Sequence, residues 1–299
     1  MQIEGIILSL HPVSRKKMQV YYSISELKPK LNAIKKQEQT IGFVPTMGAL
    51  HKGHLSLIES AMNQNDTVVV SIFVNPTQFN NKEDFENYPR TIEEDIQIVS
   101  HLKDKLMIYV PRVEDIYPNG LQTIQFDFEG IEHEMEGSFR PGHFDGVGSV
   151  LKSFFKLIEP NKAYFGEKDF QQLQIVRKLI EIEHIPVQII ACPIMREPTG
   201  LAMSSRNKRL SEKQFKEAAL IYKVLTEVQA DFGIKNVNEL TQRVEETFEA
   251  NTTLKLEYFI IADEETLQPL KNKEKNKKYR AFIAVFAGEI RLIDNIALN

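Results

Sequence analysis

Two histidines three residues apart, behind a Gly-containing turn, stand in the stretch Gly42-Phe43-Val44-Pro45-Thr46-Met47-Gly48-Ala49-Leu50-His51-Lys52-Gly53-His54-Leu55. On the opening turn of a helix that spacing puts His51 and His54 on one face. Unpaired N–H groups and the positive end of the helix dipole point the same way, which makes an anion site. The short apolar run Ile41-Gly42-Phe43-Val44, closed by Pro45, reads as the end of a buried parallel strand. Gly48 lets the backbone come close to a ligand, and Gly53 leaves room beside the helix start. Two imidazoles converging on a phosphate-sized hole suit nucleotide chemistry.

Four more segments carry side chains of the same kind. Asn75-Pro76-Thr77-Gln78-Phe79 follows the next strand-like run, and Gln78 offers both donor and acceptor to a small polar ligand. Gly137-Ser138-Phe139-Arg140-Pro141-Gly142-His143-Phe144-Asp145-Gly146-Val147 is dense in glycine. It is either a carboxylate clamp through Arg140 or a turn held by its own side chains. In Phe165-Gly166-Glu167-Lys168-Asp169-Phe170-Gln171-Gln172 a strand again passes through Gly into a helix. Lys168 suits phosphate as a point charge, Asp169 can bond a ribose hydroxyl or cap the helix, and Gln172 lies one turn inward. Arg196-Glu197-Pro198-Thr199-Gly200-Leu201-Ala202-Met203-Ser204-Ser205-Arg206-Asn207 sets two hydroxyls and a guanidinium behind Gly200. That is the composition of a mobile phosphate-binding loop closing a site between domains.

The elements that must position these groups alternate. Strand-like runs at Ile41–Thr46, Thr67–Val74, Leu106–Val110, Lys162–Phe165 and Val187–Ala191 are separated by amphipathic stretches. The stretches Leu55–Asn65, Thr91–Lys103, Val147–Ile158 and Phe170–Glu183 have helical patterns. This predicts an α/β, Rossmann-like doubly wound parallel sheet, with ligands at the carboxyl ends of its strands. Residues Ile116–Asp145 interrupt the alternation and read as an insertion beside the site. After Pro193 the pattern changes to helices at Glu212–Asp231 and Val237–Ala250, a strand at Glu257–Ala262, and an antiparallel pair at Arg280–Gly288 and Glu289–Ile296. The expected division is an extension over 1–17, a first domain over 18–195, and a smaller α+β domain over 196–299.

The bulk numbers set limits. A chain of 299 residues with 42% apolar and 26% charged residues is ordinary for a soluble enzyme. A net charge of −4 argues against nucleic acid as the main partner. The single Cys192 forms no intramolecular disulfide and suits a reducing cytoplasm. Apolar runs such as Val68–Val74 are strand length, far below the ~20 residues of a membrane span. In residues 1–17 the basic cluster Arg15-Lys16-Lys17 follows the apolar run, the reverse of a secretory signal. The segment reads as a flexible extension, with Met18 a plausible chain start.

The His-x-Gly-His pattern resembles the signature of the nucleotidylyltransferase superfamily. Together, the Pro45–His54, Phe73–Phe79, Phe139–Val147, Gly166–Gln172 and Met203–Asn207 motifs resemble the pantothenate synthetase (pantoate–β-alanine ligase) family from about Met18 onward. The resemblance implies ATP-dependent condensation of pantoate with β-alanine through pantoyl adenylate. It implies that Met47, Gly48, Ala49, Leu50, His51, Lys52, Gly53 and His54 line the ATP phosphates, with His54 as proton donor. Lys168 with Ser204, Ser205 and Arg206 would hold the triphosphate. Gly166 and Asp169 would meet the ribose and Met195 the adenine, with Glu167 and Met203 completing the ATP set. Gln78 and Gln172 match the pantoate-binding glutamines, and Gln78 would also meet β-alanine. Mg²⁺ would ride on ATP phosphates and waters, with Asp95 an acidic candidate that no motif supports. A homodimer is also implied. Thr199 departs from the Asp expected before Gly200. The rival reading is a nucleotidylyltransferase of the same superfamily with another small substrate, which keeps the nucleotide in its product.

Overall fold

The computed structural model describes residues 18–299, so the extension expected over 1–17 lies outside the described residues. Six parallel strands form the first sheet: β1 Gln19–Tyr21, β2 Ile41–Thr46, β3 Thr67–Ile72, β4 Leu106–Tyr109, β5 Lys162–Gly166 and β6 Gln188–Cys192. Their order is β1-β4-β3-β2-β5-β6. The chain builds outward from β2 through β3 to β4, then returns to lay β5 on the other flank of β2, with Gly42 opposite Lys162 and Phe43 opposite Ala163. The carboxyl ends of β2 and β5 therefore flank the point where strand order reverses, the place where open α/β sheets bind ligands. Both faces of β2 are covered, as parallel strands require. Phe43 packs with Val69, Phe154 and Phe155 on one side, and Val44 packs with Ile58, Val70 and Ile108 on the other.

The expected strands of this sheet are present to within two residues at each end, and the helices differ in instructive ways. The first of them begins at Lys52 rather than Leu55, because His51 is its N-cap. The helix expected from Val147 begins at His143, after Gly142 in a left-handed conformation (φ 76°). With the short helix Met135–Phe139 before it, most of the glycine-rich segment is thus helical. The stretch Glu212–Asp231 is split into Glu212–Glu217 and Ala219–Asp231. The structure adds a helix over Ile24–Lys36, outside the alternation above, although Pro29 inside it lacks an N–H. Burial of Leu27, Leu31 and Ile34 at helical spacing, with a Ser23 cap, outweighs that loss.

A second, antiparallel sheet runs β7 Leu254–Asp263, β8 Tyr279–Ala287, β9 Ile290–Ala297. Helices Ala219–Asp231 and Val237–Glu249 cover one face, and Val224, Val228, Leu240 and Val244 meet Ala281, Ile283 and Val285 in a separate core. Residues Ala262, Leu267 and Phe282 of this sheet and its turn join the core of the first body instead. Phe282 lies 6.0 Å, centroid to centroid, from Phe170 at the start of the Phe170–Ile182 helix. The smaller unit is thereby seated over the carboxyl end of β5.

The His143–Ile158 helix reaches the turn after β3 at Gly146, where a Cβ would lie 2.4 Å from the Thr77 carbonyl oxygen and 2.8 Å from the Gln78 nitrogen. Those neighbours are backbone and cannot swing aside. Gly146→Ala is expected to lose about 1–3 kcal/mol in urea unfolding and to displace the Thr77–Gln78 turn. Unfolding indistinguishable from the parent would refute this close packing.

Candidate active site

The backbone leaving β2 turns through two residues of positive φ, Gly48 (81°) and Ala49 (51°). An alanine in that region is strained, and the strain is held by one side chain. Asp95, 1% exposed, accepts the N–H of Ala49 at 3.0 Å and that of Leu50 at 2.6 Å, with the Thr91 hydroxyl at 3.4 Å. Its carboxyl is pushed above the usual range by burial, against the pull of those N–H groups. Both oxygens are occupied within the fold, so the acidic metal candidate is a clamp on the loop.

The loop delivers His51 and His54 to the start of the Lys52–Gln64 helix. His51 Nδ1 accepts the Gly53 N–H at 3.1 Å, and His54 Nδ1 accepts the His51 N–H at 3.3 Å. The rings lie 4.1 Å apart, centroid to centroid. The imidazoles therefore occupy N–H groups that the sequence left for an anion. Because each Nδ1 accepts, each ring carries its hydrogen on Nε2 in the neutral form. Burial, then the charges of Lys168 and Lys208, pushes His51 down to about 4. Burial, then His51 and Lys168, pushes His54 down to about 3.

A cavity of about 240 Å³ opens at these rings. It brings together Met47, His51, Gly53, His54, Gln78, Gly166, Lys168, Asp169, Gln172, Met195, Met203, Ser204, Ser205 and Arg206. Gly48, Ala49, Leu50 and Lys52 do not line it: Ala49 and Leu50 are buried within the loop, and Lys52 is exposed. Glu167 does not line it either, and its carboxylate lies 3.8 Å from Arg280 of the second sheet. A larger cavity of about 430 Å³ adjoins the first and shares Lys168, Asp169, Gln172, Ser204 and Arg206 with it.

Gln78 is held from several sides. Its Oε1 accepts from Asn75 Nδ2 at 3.1 Å, and its backbone carbonyl accepts from His143 Nδ1 at 2.8 Å and Arg140 at 3.3 Å. Arg140 thus stabilises the Gln78 turn, and it also lines the larger cavity. Burial, then the Arg140 charge, keeps His143 down at about 4 and so neutral. Ser204 caps the 3-10 turn Ser205–Arg209 by accepting the Arg206 N–H, and Arg206 pairs with Asp84 at 3.2 Å. Gln171 binds backbone at Glu136, Ile131 and Glu134, whereas Gln172 faces both cavities.

Sequence reasoning missed Tyr88, buried in the cavity wall with its hydroxyl 3.4 Å from Ser205, and Lys208, whose charge reaches His51. No motif announces Tyr88; the basic run after Ser205 is the signal for Lys208. The unexpected Thr199 occupies an exposed turn pinched by the Arg196–Ala202 bridge, away from the cavity lining.

Comparison with known proteins follows the same lines. The family model described as pantoate-beta-alanine ligase matches residues 19–297. Pantothenate synthetases of Flavobacterium psychrophilum and Christiangramia forsetii are each 53% identical over 282 residues, 94% of this chain and all of theirs. Pantothenate synthetase from Thermus thermophilus superposes with a TM-score of 0.86 at 38% identity, over 94% of this chain and 99% of that one. The pantoate-beta-alanine ligase of Francisella tularensis, solved with beta-gamma ATP and beta-alanine, gives 0.78 at 41% identity, over 94% and 98%. With a ligase model spanning both sheets and the motif residues gathered at one switch point, the chain belongs to the pantoate–β-alanine ligase family.

Proposed function

We propose that this chain condenses pantoate with β-alanine in two steps at the smaller cavity. The observation that carries the reading is the convergence there of His51, His54, Lys168, Gln78, Gln172 and Arg206. First, a pantoate carboxylate oxygen attacks the α-phosphorus of ATP, the bond to the bridging oxygen breaks, and pyrophosphate leaves. Then the β-alanine amine attacks the acyl carbon of pantoyl adenylate, loses a proton, and AMP leaves. Negative charge grows on the departing pyrophosphate, and fixed donors aimed at it lower the barrier. His51 and His54 supply Nε2–H donors whose rings are locked by their Nδ1 bonds. Lys168 adds a point charge, and Arg206 reaches phosphate by exchanging Asp84 for it. His54 acts here as a neutral hydrogen-bond donor through Nε2–H, because its Nδ1 is occupied by the His51 N–H.

Gln78 and Gln172 hold the pantoate polar groups, Gly166 and Asp169 the ribose, and Met195 borders the adenine. Among the described residues no three His, Cys, Asp or Glu side chains converge as a metal site. Mg²⁺ would enter on the ATP phosphates, where it neutralises charge. Residues 196–299 serve as the lid domain. A homodimer and a cytoplasmic location belong to the same reading, supported by the family resemblance and by a single buried cysteine. No helix among the described residues is long and apolar enough to cross a membrane.

Labelled pyrophosphate is expected to exchange into ATP only when pantoate is present, without β-alanine. ATP binding without such exchange would sink the acyl-adenylate reading. His54→Ala is expected to slow that exchange by about 100-fold to 1,000-fold while ATP binding changes much less; full turnover would remove His54 from the chemistry. Stability carries a third signature. The unfolded chain protonates its histidines near the ordinary value of about 6.5, whereas folded His51, His54 and His143 resist to about 4, 3 and 4. The unfolded state binds more protons in that window, so stability falls with pH below about 6.5, by at most roughly 1.4 kcal/mol per pH unit per histidine. Melting temperature is expected to drop from pH 7 to 5, less steeply in His143→Gln; a flat profile would show ordinary titration.

A further inference from the structure

We propose that Asn295, on the second sheet, is a positioning residue that sets the direction of the Lys168 side chain. The proposal rests on the reading of Lys168 as the grip on ATP phosphates. Asn295 is 2% exposed, and its polar side-chain atoms are engaged. Its Nδ2 donates to the carbonyl of Glu167 at 2.9 Å and to that of Lys168 at 2.8 Å. Those two carbonyls belong to the peptide planes on either side of the Lys168 Cα. Peptide units are rigid plates, so fixing both plates fixes φ and ψ of the residue between them. The Cα–Cβ bond of Lys168 is thereby aimed, and its ammonium reaches the cavity 3.6 Å from Asp169.

The carboxamide is itself held. Arg280 donates to Asn295 Oδ1 at 2.6 Å, which fixes which end of the amide faces the carbonyls. The Arg280 guanidinium lies 3.9 Å from the centroid of the Phe170 ring and donates to Glu264 at 2.8 Å. Phe170 begins the helix that follows Lys168, so the second sheet grips the turn from its backbone and from its downstream end. Asn295 stands opposite Phe282 in the β8–β9 ladder, where an apolar side chain would fill the space without burying an amide. A buried amide in a strand is costly unless its partners need it, and here the partners are the two plates around Lys168.

The test compares Asn295→Asp and Asn295→Ser with the parent, each alone and combined with Lys168→Gln. Asp keeps the volume and the Arg280 bond but cannot donate to either carbonyl; Ser avoids a buried charge if Asp fails to fold. Affinity for a non-hydrolysable ATP analogue is measured by calorimetry, apart from pyrophosphate exchange and from melting temperature. The expected result is analogue binding weaker, and exchange slower, on the order of tenfold to a hundredfold in folded single variants. In the Lys168→Gln background the same changes should cost no more than about twofold, because residues acting through one another are not additive. Losses that multiply in the double variants, or single variants that bind the analogue as the parent does, would overturn the proposal. A parent that binds the analogue but shows no pantoate-dependent exchange would instead refute the ligase chemistry, leaving the affinity comparison to judge Asn295.

Discussion

Asp95 gives its two carboxylate oxygens to the N–H groups of Ala49 and Leu50, and the geometry of the histidine end of the cavity follows from that contact. The loop it holds bends through Gly48 and Ala49, and an alanine at positive φ persists only where its surroundings over-determine it. Relaxing the clamp would let the turn open, and His51 would no longer meet the helix as its cap. Placing a carboxylate so near a site proposed for phosphate is unfavourable by Coulomb's law alone. Its burial, and its engagement by backbone N–H groups, keep it directed into the fold and away from the ligand.

The rest of the site is assembled by topology. Parallel strands β2 and β5 end side by side where the order reverses, so two turns distant in sequence, Met47–His54 and Gly166–Gln172, face each other. The turn after β3 adds Gln78, pressed into place by the Gly146 backbone. The second sheet bears on this ensemble through the polar residues Arg291, Asp294 and Asn295 of strand β9. Arg196 pairs with Asp294 at 2.6 Å, and Arg291, three residues earlier in the strand, pairs with Glu136 at 2.7 Å. Charged links of this kind, partly buried and geometrically exacting, define one docking orientation where an apolar contact would accept several.

Much of this was readable from residue order. Strand ends, the doubly wound sheet and the motif residues follow from apolar runs closed by Gly or Pro, because a buried parallel strand must be apolar on both faces. The residues that failed to reach the cavity share a cause. Ala49, Leu50 and Glu167 sit within motifs, but a motif fixes a backbone path as much as a set of contacts, and neighbouring residues on a turn point in different directions. The role of Asp95 was hidden for the opposite reason: its partners lie 45 and 46 residues away, and nothing local marks it. The Ile24–Lys36 helix lies outside the alternation, and the local penalty of its Pro29 is overridden by tertiary burial.

The two imidazole caps carry a consequence for how such a site can decay. Groups placed for chemistry usually sit in conflict with folding, so a protein that abandons its reaction can gain stability by replacing them. At His51 and His54 the interests coincide on a single atom: the Nδ1 that fixes each ring also secures the first turn of the Lys52–Gln64 helix. A lineage drifting away from catalysis would fray the helix end with the same substitution, at about the 1 kcal/mol of a lost cap. Selection for stability alone therefore preserves both imidazoles as a by-product.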